Sequence, residues 1–367
     1  MKIFLDNIIF TNVQNGGVSN YWYELTKFLI KHHDDEINFF EEMKGNNLNF
    51  HRSLLNLPAE NIIYNNKFFK SLSRILPINY KSNEKFIYHS SYYRDLTNCK
   101  NKIEITTIHD FTHNYYSSFL KKTVHNKIKY DTIKRSKGII CVSKNTYDDL
   151  QKFCPTINNQ SIEIIYNGVS DDYFPIKFYN LNQKQFLNDN NLQDNYLLFI
   201  GSRTNYKNFN FVIDIINSNT DLKLVIVGGG KLNANEIKLF TKESIQRINF
   251  LEDIKNEDLN ILYNNALALI YPSSYEGFGI PVVEAMRAGC PVIGLNNATI
   301  REVAQNSALL LDNLSISEFD RHIVKLNNID FRLQTISNGF EESKKYSWDK
   351  CSRETHEFYK NVYDSSF

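Results

Sequence analysis

The sequence has no long apolar run, few cysteines and almost no net charge. No stretch approaches the roughly 20 consecutive apolar residues that a membrane-spanning helix requires, so a transmembrane protein is not expected. The five cysteines among 367 residues are scattered and form no C-x-x-C pair. A disulfide framework or a zinc site is therefore not predicted. Lys and Arg number 42 against 41 Asp and Glu, which gives no indication of a nucleic-acid-binding protein.

The N-terminus lacks the pattern of a secretory signal. The apolar residues Ile3–Leu5 end at the charged Asp6, and no small-residue cleavage site follows. These residues predict a first β-strand, and the protein is expected in the cytoplasm.

The length exceeds one typical domain of roughly 100–200 residues, so two domains are expected. Short apolar segments alternate with longer helical patterns, which is typical of an α/β protein with parallel sheets. Strands are predicted at 2–6, 37–41, 86–90, 104–108, 138–142, 162–166, 197–200, 223–227, 248–251, 267–271, 291–295 and 308–311. Helices are predicted at 17–32, 118–136, 144–153, 208–217, 256–265, 280–288, 315–326 and 348–361.

A polar, Asn-rich segment at residues 170–195 separates the two sets of strands and is predicted to be a linker. The predicted domains therefore span residues 1–180 and 190–345. Both are expected to be doubly wound sheets, which bind ligands outside the carboxyl ends of their strands. Two facing sheets imply a cleft between them.

The near-zero net charge conceals a difference between the two halves. Residues 1–180 contain 23 Lys and Arg against 18 Asp and Glu, whereas the remainder contains 19 against 23. Much of the excess lies between Lys121 and Lys137, on the helix predicted at 118–136, and this stretch carries a single acid, Asp131. Such a helix has either a solvated face or a face attracted to an anionic membrane surface. The cations assigned to this surface are Lys121, Lys122, Lys127, Lys129, Lys134 and Arg135.

The most informative segment follows the predicted strand LALIY and reads YEGFGIPVVEAMRAGCPVI. Its glycines allow the backbone to approach a ligand, and Pro281 indicates a helix start. The N–H groups of a helix start at a strand's carboxyl end suit a phosphate. Glu276 and Glu284 are eight residues apart, one in the loop and one in the helix. The alternative is that Glu276 caps the helix and Glu284 is solvated.

The string EGFGIPVVE resembles the E-x7-E signature of the retaining glycosyltransferases of family 4. The resemblance implies the GT-B fold, with two facing Rossmann-like domains and a C-terminal helix, 346–367, that crosses back onto the first domain. It implies that Glu276 binds donor-sugar hydroxyls and that Glu284 binds the ribose of a nucleotide. The donor sugar and diphosphate would be lined by Gly277, Phe278, Gly279, Ile280 and Val282.

Further motifs resemble the same family. Arg203 and Lys207 follow a predicted strand and would stabilise the leaving nucleoside diphosphate, Arg203 by a two-pronged contact with its oxygens. The alternative is that both are ordinary surface cations. Gly228 ends another strand, in a V-G-G-G string similar to the family's V-G-x-G near the nucleotide. The string is not G-x-G-x-x-G, which argues against a dehydrogenase.

The first domain contributes two matches. Gly16 and Gly17 stand at the start of a predicted helix after the first strand. The resemblance implies that they form an anion-binding loop near the donor phosphate. The alternative is a plain flexible loop. His109 ends the predicted strand EITTI, where the family has a similar His near the donor sugar. It would position the sugar rather than act as a base, although a single His is more often structural.

These residues predict a retaining glycosyltransferase in which His109, Glu276, Arg203 and Lys207 carry the chemistry. No D-x-D pair occurs in a suitable loop, so neither a metal nor a cofactor besides the donor is expected. The donor would be a nucleotide-activated hexose or deoxyhexose, with GDP favoured over UDP, and the acceptor a glycan or lipid-linked glycan of a bacterial surface polysaccharide. Residues 43–85 match nothing in the family, and acceptor specificity is expected in the first domain.

Two alternatives remain open. One is a GT-B sugar-nucleotide epimerase or phosphorylase, which the combination of both Glu residues with Arg203 and Lys207 disfavours. The other is a non-catalytic sugar-nucleotide-binding subunit, although such proteins usually lose one of these residues.

Overall fold

The computed structural model describes residues 1–31, 35–42, 49–65, 75–157, 159–192 and 195–366, apart from the side chains of Asn12, Leu120 and Lys121. The chain divides into two compact units. Unit 1 comprises Met1–Gly168 together with Trp348–Phe367, and unit 2 comprises Val169–Ser347. The C-terminal helix thus belongs to unit 1.

Unit 1 contains a parallel sheet in the order β3-β2-β1-β4-β5-β6-β7. Its described strands are β1 Lys2–Asp6, β2 Glu36–Glu42, β3 Ile62–Asn65, β4 Ile78–Ser90, β5 Leu96–Ile108, β6 Gly138–Cys141 and β7 Ser161–Ile164. Its described helices are α1 Ile9–Asn12, α2 Gly17–Lys31, α3 Phe50–Ser53, α4 Thr112–Tyr116, α5 Phe119–Arg135, α6 Lys144–Phe153 and, at the C-terminus, α15 Trp348–Ser365.

Unit 2 contains a second parallel sheet in the order β10-β9-β8-β11-β12-β13. Its strands are β8 Tyr196–Ile200, β9 Lys223–Val227, β10 Ile248–Leu251, β11 Ala268–Tyr271, β12 Val292–Leu295 and β13 Leu309–Leu311. Its helices are α7 Leu181–Asp189, α8 Phe209–Ser218, α9 Ala234–Ile237, α10 Asn256–Asn265, α11 Ile280–Ala288, α12 Ala298–Ala304, α13 Ile316–Asn327 and α14 Ile329–Ser343.

The strand order confirms the predicted α/β class of two doubly wound parallel sheets. The central strands are apolar on both faces because helices cover both sides of such a sheet. In unit 2, for example, Leu197, Leu224 and Ile270 are all fully buried in one core cluster. Every strand predicted from the sequence corresponds to an observed strand, and β3 was not predicted.

The predicted linker is wrong. Residues 170–195 contain α7, which starts with a capping box between Asn180 and Gln183 and buries Leu187. Upstream of α7, the backbone N–H groups of Phe174 and Ile176 donate to side-chain amides of α10. The segment is therefore an integral part of unit 2, and its polar composition reflects Asn side chains that cap and bridge backbone groups.

Part of the unassigned region 43–85 is now described. It contributes α3, β3 and the first half of β4, whose pairing with β5 has register shifts between Asn79 and Lys85. Residues 43–48 and 66–74 lie outside the described part of the chain. Among the helices that the structure describes, none is long and apolar enough to cross a membrane.

The C-terminal helix α15 packs closely on β6 within unit 1. A Cβ added at Gly138 would lie 2.9 Å from Cε1 of Phe358 and 3.1 Å from Cγ2 of Val362. Real Cβ atoms essentially never come within 3.0 Å of another carbon, so glycine is favoured here by space rather than by backbone conformation.

We predict that Gly138→Ala destabilises unit 1 by about 1–3 kcal/mol, because the added methyl overpacks the core. Phe358→Leu removes the opposing ring edge, so Gly138→Ala should cost less in that background. Both tryptophans, Trp22 and Trp348, are buried in unit 1, so tryptophan fluorescence during urea unfolding follows this unit specifically. Gly294→Ala in unit 2 is the control. Equal costs of Gly138→Ala in the two backgrounds would contradict the packing explanation.

Candidate active site in the second unit

The order of strands in unit 2 creates a crevice between β8 and β11. The chain proceeds outward from β8 to β9 and β10 and then returns to the other side of β8 with β11. In an open parallel sheet, ligands bind at such a reversal, outside the carboxyl ends of the strands. The loops that follow β8 and β11 are the ones that carry the two strongest sequence motifs.

Hydrogen bonds hold these two loops together. The Ser274 N–H donates to the Tyr206 carbonyl at 2.7 Å. Asn208 donates from Nδ2 to the Pro272 carbonyl and lies 2.7 Å from Ser274 Oγ. Its φ of 50° is a left-handed conformation that asparagine tolerates better than most residues. The side chains of the two motifs are therefore held at fixed positions relative to each other.

Lys207 and Glu276, one from each loop, form an ion pair. Lys207 Nζ donates to Glu276 Oε1 at 2.7 Å, and the two side chains are only 12% and 14% exposed. The ammonium also lies 5.3 Å from the centroid of the Tyr271 ring, within cation–π range. Two residues 69 positions apart in sequence thus become direct neighbours.

Arg203 is held by an acid that the sequence analysis did not identify. Its Nε donates to Glu236 Oε1 at 2.8 Å, and Nη2 donates to Glu236 Oε2 at 3.3 Å. Glu236 lies in the first turn of α9 and closes a capping box with Asn233. The N-x-x-E spacing predicts that cap, but nothing in it predicts Arg203 as a partner.

The glycine turn after β9 lies against Arg203. Gly228, Gly229 and Gly230 have φ values of 80°, 78° and 75°, a region in which other residues are strained. A Cβ on Gly229 would lie 2.7 Å from the Gly201 carbonyl and 3.0 Å from Arg203 Nη1. A side chain at Gly229 would therefore displace the loop after β8.

The segment after Glu276 forms the start of α11. Gly279 precedes the helix with φ of 87°, and its missing Cβ leaves room for Ile300. The first turn of a helix has N–H groups that intrahelical bonds do not use, so this end of α11 is suited to an anion. The Val282 N–H already donates to the Gly279 carbonyl at 2.9 Å, which leaves it no proton for a ligand.

Glu284 lies on α11 beside two buried tyrosines. The Tyr263 hydroxyl donates to its Oε2 at 2.8 Å. Desolvation raises the pKa of the Glu284 carboxyl to about 7, although hydrogen bonds from Tyr263 and Tyr173 partly oppose that shift. Glu284 as a whole is half-buried. Glu284 is thus not fully solvated, and the N-cap position of α11 is Gly279 rather than Glu276.

The remaining predicted residues lie in unit 1. Gly17 begins α2, and the Gly16 carbonyl accepts hydrogen bonds from Ser19 Oγ and the Asn20 N–H. His109 follows β5, with its ring edge-on to Tyr21 at 5.0 Å between centroids. Burial lowers the pKa of His109 to about 4, so its imidazole is neutral at pH 7. A neutral imidazole can position a hydroxyl but supplies no positive charge.

The predicted membrane-facing set on α5 needs one correction, because Lys129 is only 1% exposed. Its Nζ donates to the Asp110 carbonyl and lies over the Phe111 ring. Burial lowers the pKa of Lys129 to about 8. The prediction that Lys129 contacts a membrane is therefore wrong.

The other cations of α5 differ in solvent exposure and in whether they are paired with an acid. Lys127 and Lys134 are exposed, and Lys122 is half-buried. Arg135 is paired with Glu104 at 2.8 Å. The Lys121 side chain lies outside the described part of the chain.

A search of the described residues for a metal centre found no group of three or more His, Cys, Asp and Glu side chains that could hold an ion. The charged groups at the β8–β11 crevice are instead two cations, each paired with one acid. This arrangement can bind a phosphate chain and the hydroxyls of a sugar, the two parts of an activated sugar donor.

Comparisons with known proteins agree with this geometry. The family model described as Glycosyl transferases group 1 matches residues 182–341, and the model described as Glycosyltransferase Family 4 matches residues 15–173. The two models together span most of both units. The chain therefore belongs to the GT-B glycosyltransferases with family 4 and group 1 domains, and the protein is a glycosyltransferase.

Individual relatives are more distant. The O-antigen chain mannosyltransferase RfbU of Salmonella typhimurium is 29% identical over 259 residues, covering 65% of this chain and 69% of that protein. Sucrose-phosphate synthase from Thermosynechococcus elongatus has a TM-score of 0.73 at 15% identity over the whole of both chains. Anabaena HepE in complex with UDP-glucose has a TM-score of 0.70 at 14% identity, covering 97% of this chain and 98% of that one.

Glu284 provides a stability test with a defined sign. Because burial raises the pKa of the Glu284 carboxyl from its usual 4.5 to about 7 in the folded protein, the stability that this carboxyl contributes is complete below about 4.5 and is lost as the pH rises through about 7. Glu284→Gln removes the buried charge. The change in Tm that the substitution causes should therefore be about 3 °C more favourable at pH 8 than at pH 5. Thermal melts at both pH values measure this difference.

The control for that experiment is Glu257→Gln, at an exposed position in the first turn of α10. This control should shift Tm equally at pH 5 and pH 8. A Glu284→Gln variant that loses more stability at pH 8 than at pH 5 would contradict the desolvation of this carboxyl.

Proposed function

We propose that the protein is a retaining, metal-independent glycosyltransferase that moves a hexose or deoxyhexose from a nucleotide sugar to a glycan or lipid-linked glycan acceptor. The observation that carries this proposal is the Lys207–Glu276 pair at the β8–β11 crevice, with Arg203 on the same loop. The similarity to an O-antigen mannosyltransferase supports a role in bacterial surface polysaccharide synthesis.

Breaking the bond between sugar and diphosphate leaves positive charge on the ring and negative charge on the leaving phosphate. The ammonium group of Lys207 is held in position by Glu276, to which it donates one of its three N–H groups. The other two N–H groups can donate to phosphate oxygens. The start of α11 adds a partial positive charge near the same loop. Groups that are already in position stabilise the developing charge without having to reorganise. Such electrostatic stabilisation is usually the largest contribution to an enzyme's rate enhancement.

Glu276 is suited to accept hydrogen bonds from the donor-sugar hydroxyls, since its Oε1 is fixed by Lys207. No carboxylate at this site is an evident nucleophile. We therefore favour front-face substitution, in which the acceptor oxygen bonds to the anomeric carbon on the side from which the diphosphate leaves. The acceptor proton passes to a phosphate oxygen of the leaving group. The neutral His109 would orient the sugar, for instance at its C6 substituent.

Two nucleotides are candidates for the donor. The sequence resemblance favours GDP, whereas HepE was solved with UDP-glucose. A thermal-shift screen of GDP- and UDP-sugars separates the two. A ligand present at 100 times its dissociation constant stabilises the folded protein by about 2.7 kcal/mol, which gives a readily measured shift.

We predict that Lys207→Ala lowers kcat for sugar transfer by about 10²–10³, because one charged donor to the leaving group is lost. Lys242→Ala, at an exposed position in unit 2, is the control and should retain full activity. Transfer is measured with the donor found in the screen, with and without EDTA, and the product anomer is read by NMR.

Each outcome of this assay tests one part of the proposal. An inverted product contradicts retention, and loss of activity in EDTA contradicts metal independence. Release of an epimerised sugar nucleotide or of a sugar phosphate would favour the epimerase or phosphorylase alternative. Donor binding without turnover on any acceptor would favour the non-catalytic subunit.

We also propose that α5 contacts an anionic membrane surface. Lys122, Lys127 and Lys134 remain from the predicted set, and Phe119 at the start of the helix is 81% exposed. Cations near an anionic surface contribute about 1 kcal/mol each, and a neighbouring exposed aromatic ring adds apolar contact. A lipid-linked acceptor would make such contact useful.

Charge reversal of Lys122, Lys127 and Lys134 to Glu is therefore expected to weaken binding to anionic liposomes at least tenfold. Reversal of three exposed lysines of unit 2, Lys238, Lys242 and Lys255, is the matched control and should change binding less. Sedimentation with liposomes measures both. Equal losses in the two triple variants would contradict a specific role of α5.

A further inference from the structure

The hydrogen bonds of Arg203 leave little of its guanidinium for a ligand. Arginine has five N–H groups. Nε donates to Glu236 Oε1, and Nη2 donates to both Glu236 Oε2 and the Lys231 carbonyl, at 2.9 Å for the latter. Nη1 donates to the Gly228 carbonyl at 3.3 Å. Among the described residues, one N–H of Nη1 therefore has no protein partner.

Packing fixes the guanidinium in this orientation. The Arg203 side chain is 5% exposed, and its central carbon lies 5.6 Å from the Phe209 ring centroid and 5.9 Å from that of Phe250. The glycine turn adjoins Nη1, since a Cβ on Gly229 would lie 3.0 Å from that nitrogen. Rotation of the guanidinium toward a ligand would break contacts with Glu236, with two backbone carbonyls and with both rings.

We infer that Glu236 is a positioning residue of the donor site, which holds Arg203 so that it contacts the donor diphosphate through Nη1 alone and keeps the Gly228–Lys231 turn in its binding shape. This inference rests on the proposed function. The sequence predicts that two nitrogens of Arg203 contact the diphosphate together. The structure argues against that contact, because Nε and Nη2 already donate to the Glu236 carboxylate.

The ionisation state of the Glu236 carboxyl fits this role. Burial acts to raise its pKa, but the Arg203 side chain and the Asn233 backbone N–H lower the pKa of the Glu236 carboxyl below its usual range. The carboxylate is therefore ionised across the physiological range and complements the guanidinium throughout.

Glu236 also has a local structural role that an experiment must separate from the positioning role. Its Oε2 accepts the Asn233 N–H at 2.7 Å, and Asn233 Oδ1 accepts the N–H groups of Asn235 and Glu236. Asn233→Ala removes the second half of this cap and leaves the carboxylate on Arg203. It therefore serves as the matched control for Glu236→Gln.

The test compares ligands that differ only in their phosphates. Full-length wild type, Glu236→Gln, Glu236→Asp and Asn233→Ala are titrated with GDP and UDP by calorimetry, and with guanosine and uridine by ligand-observed NMR. We expect Glu236→Gln to weaken diphosphate binding about tenfold and to leave nucleoside binding within twofold of wild type. Glu236→Asp should recover part of the loss, and Asn233→Ala should bind both ligands like wild type.

Four results would overturn the inference while wild type still binds a nucleoside diphosphate. Tighter diphosphate binding by Glu236→Gln would show that Glu236 competes with the donor. Equal losses for diphosphate and nucleoside, or the same loss in Asn233→Ala, would show a structural role only. Unchanged binding would show that Arg203 needs no positioning. A wild type that binds neither diphosphate would overturn the proposed function as well.

Discussion

The pairing of β8 with β11 decides where the charged motifs of unit 2 lie. Residues of the two strands are 68 to 75 positions apart in the chain, yet the strands are hydrogen-bonded neighbours in the sheet. Their adjacency places the loop of Arg203 and Lys207 against the loop of Glu276. Without it the cations and the acid would lie on separate parts of the unit, and the bonds from Asn208 to Pro272 and Ser274 could not form.

The charges at this crevice are paired before any donor arrives. Lys207 is matched by Glu276 and Arg203 by Glu236. Pairing lowers the cost of burying each cation, because an unpaired buried charge is expensive. It also fixes the direction of the remaining N–H groups of Lys207 and Arg203.

Much of the fold could be predicted from the sequence because local apolar segments and helix caps specify individual elements. Two of the missed elements have weak local signals. Strand β3 is short and only partly buried, and α14 contains Gly339, whose lack of a side chain accommodates Met286. The linker prediction was wrong because asparagines that cap helices and bridge backbone groups give the same composition as a loop.

By itself, the sequence determined the α/β class, the family and the identity of the charged motifs, because spacing within a short segment is fixed by covalent connection. Which partners those charges have was decided by tertiary structure. Glu236 reaches Arg203 from the first turn of α9, and Lys129 is not the surface cation that the sequence suggests but a buried one that donates to the Asp110 carbonyl. Such pairings depend on the order of strands and on the packing of helices against them, and no local pattern of residues encodes either.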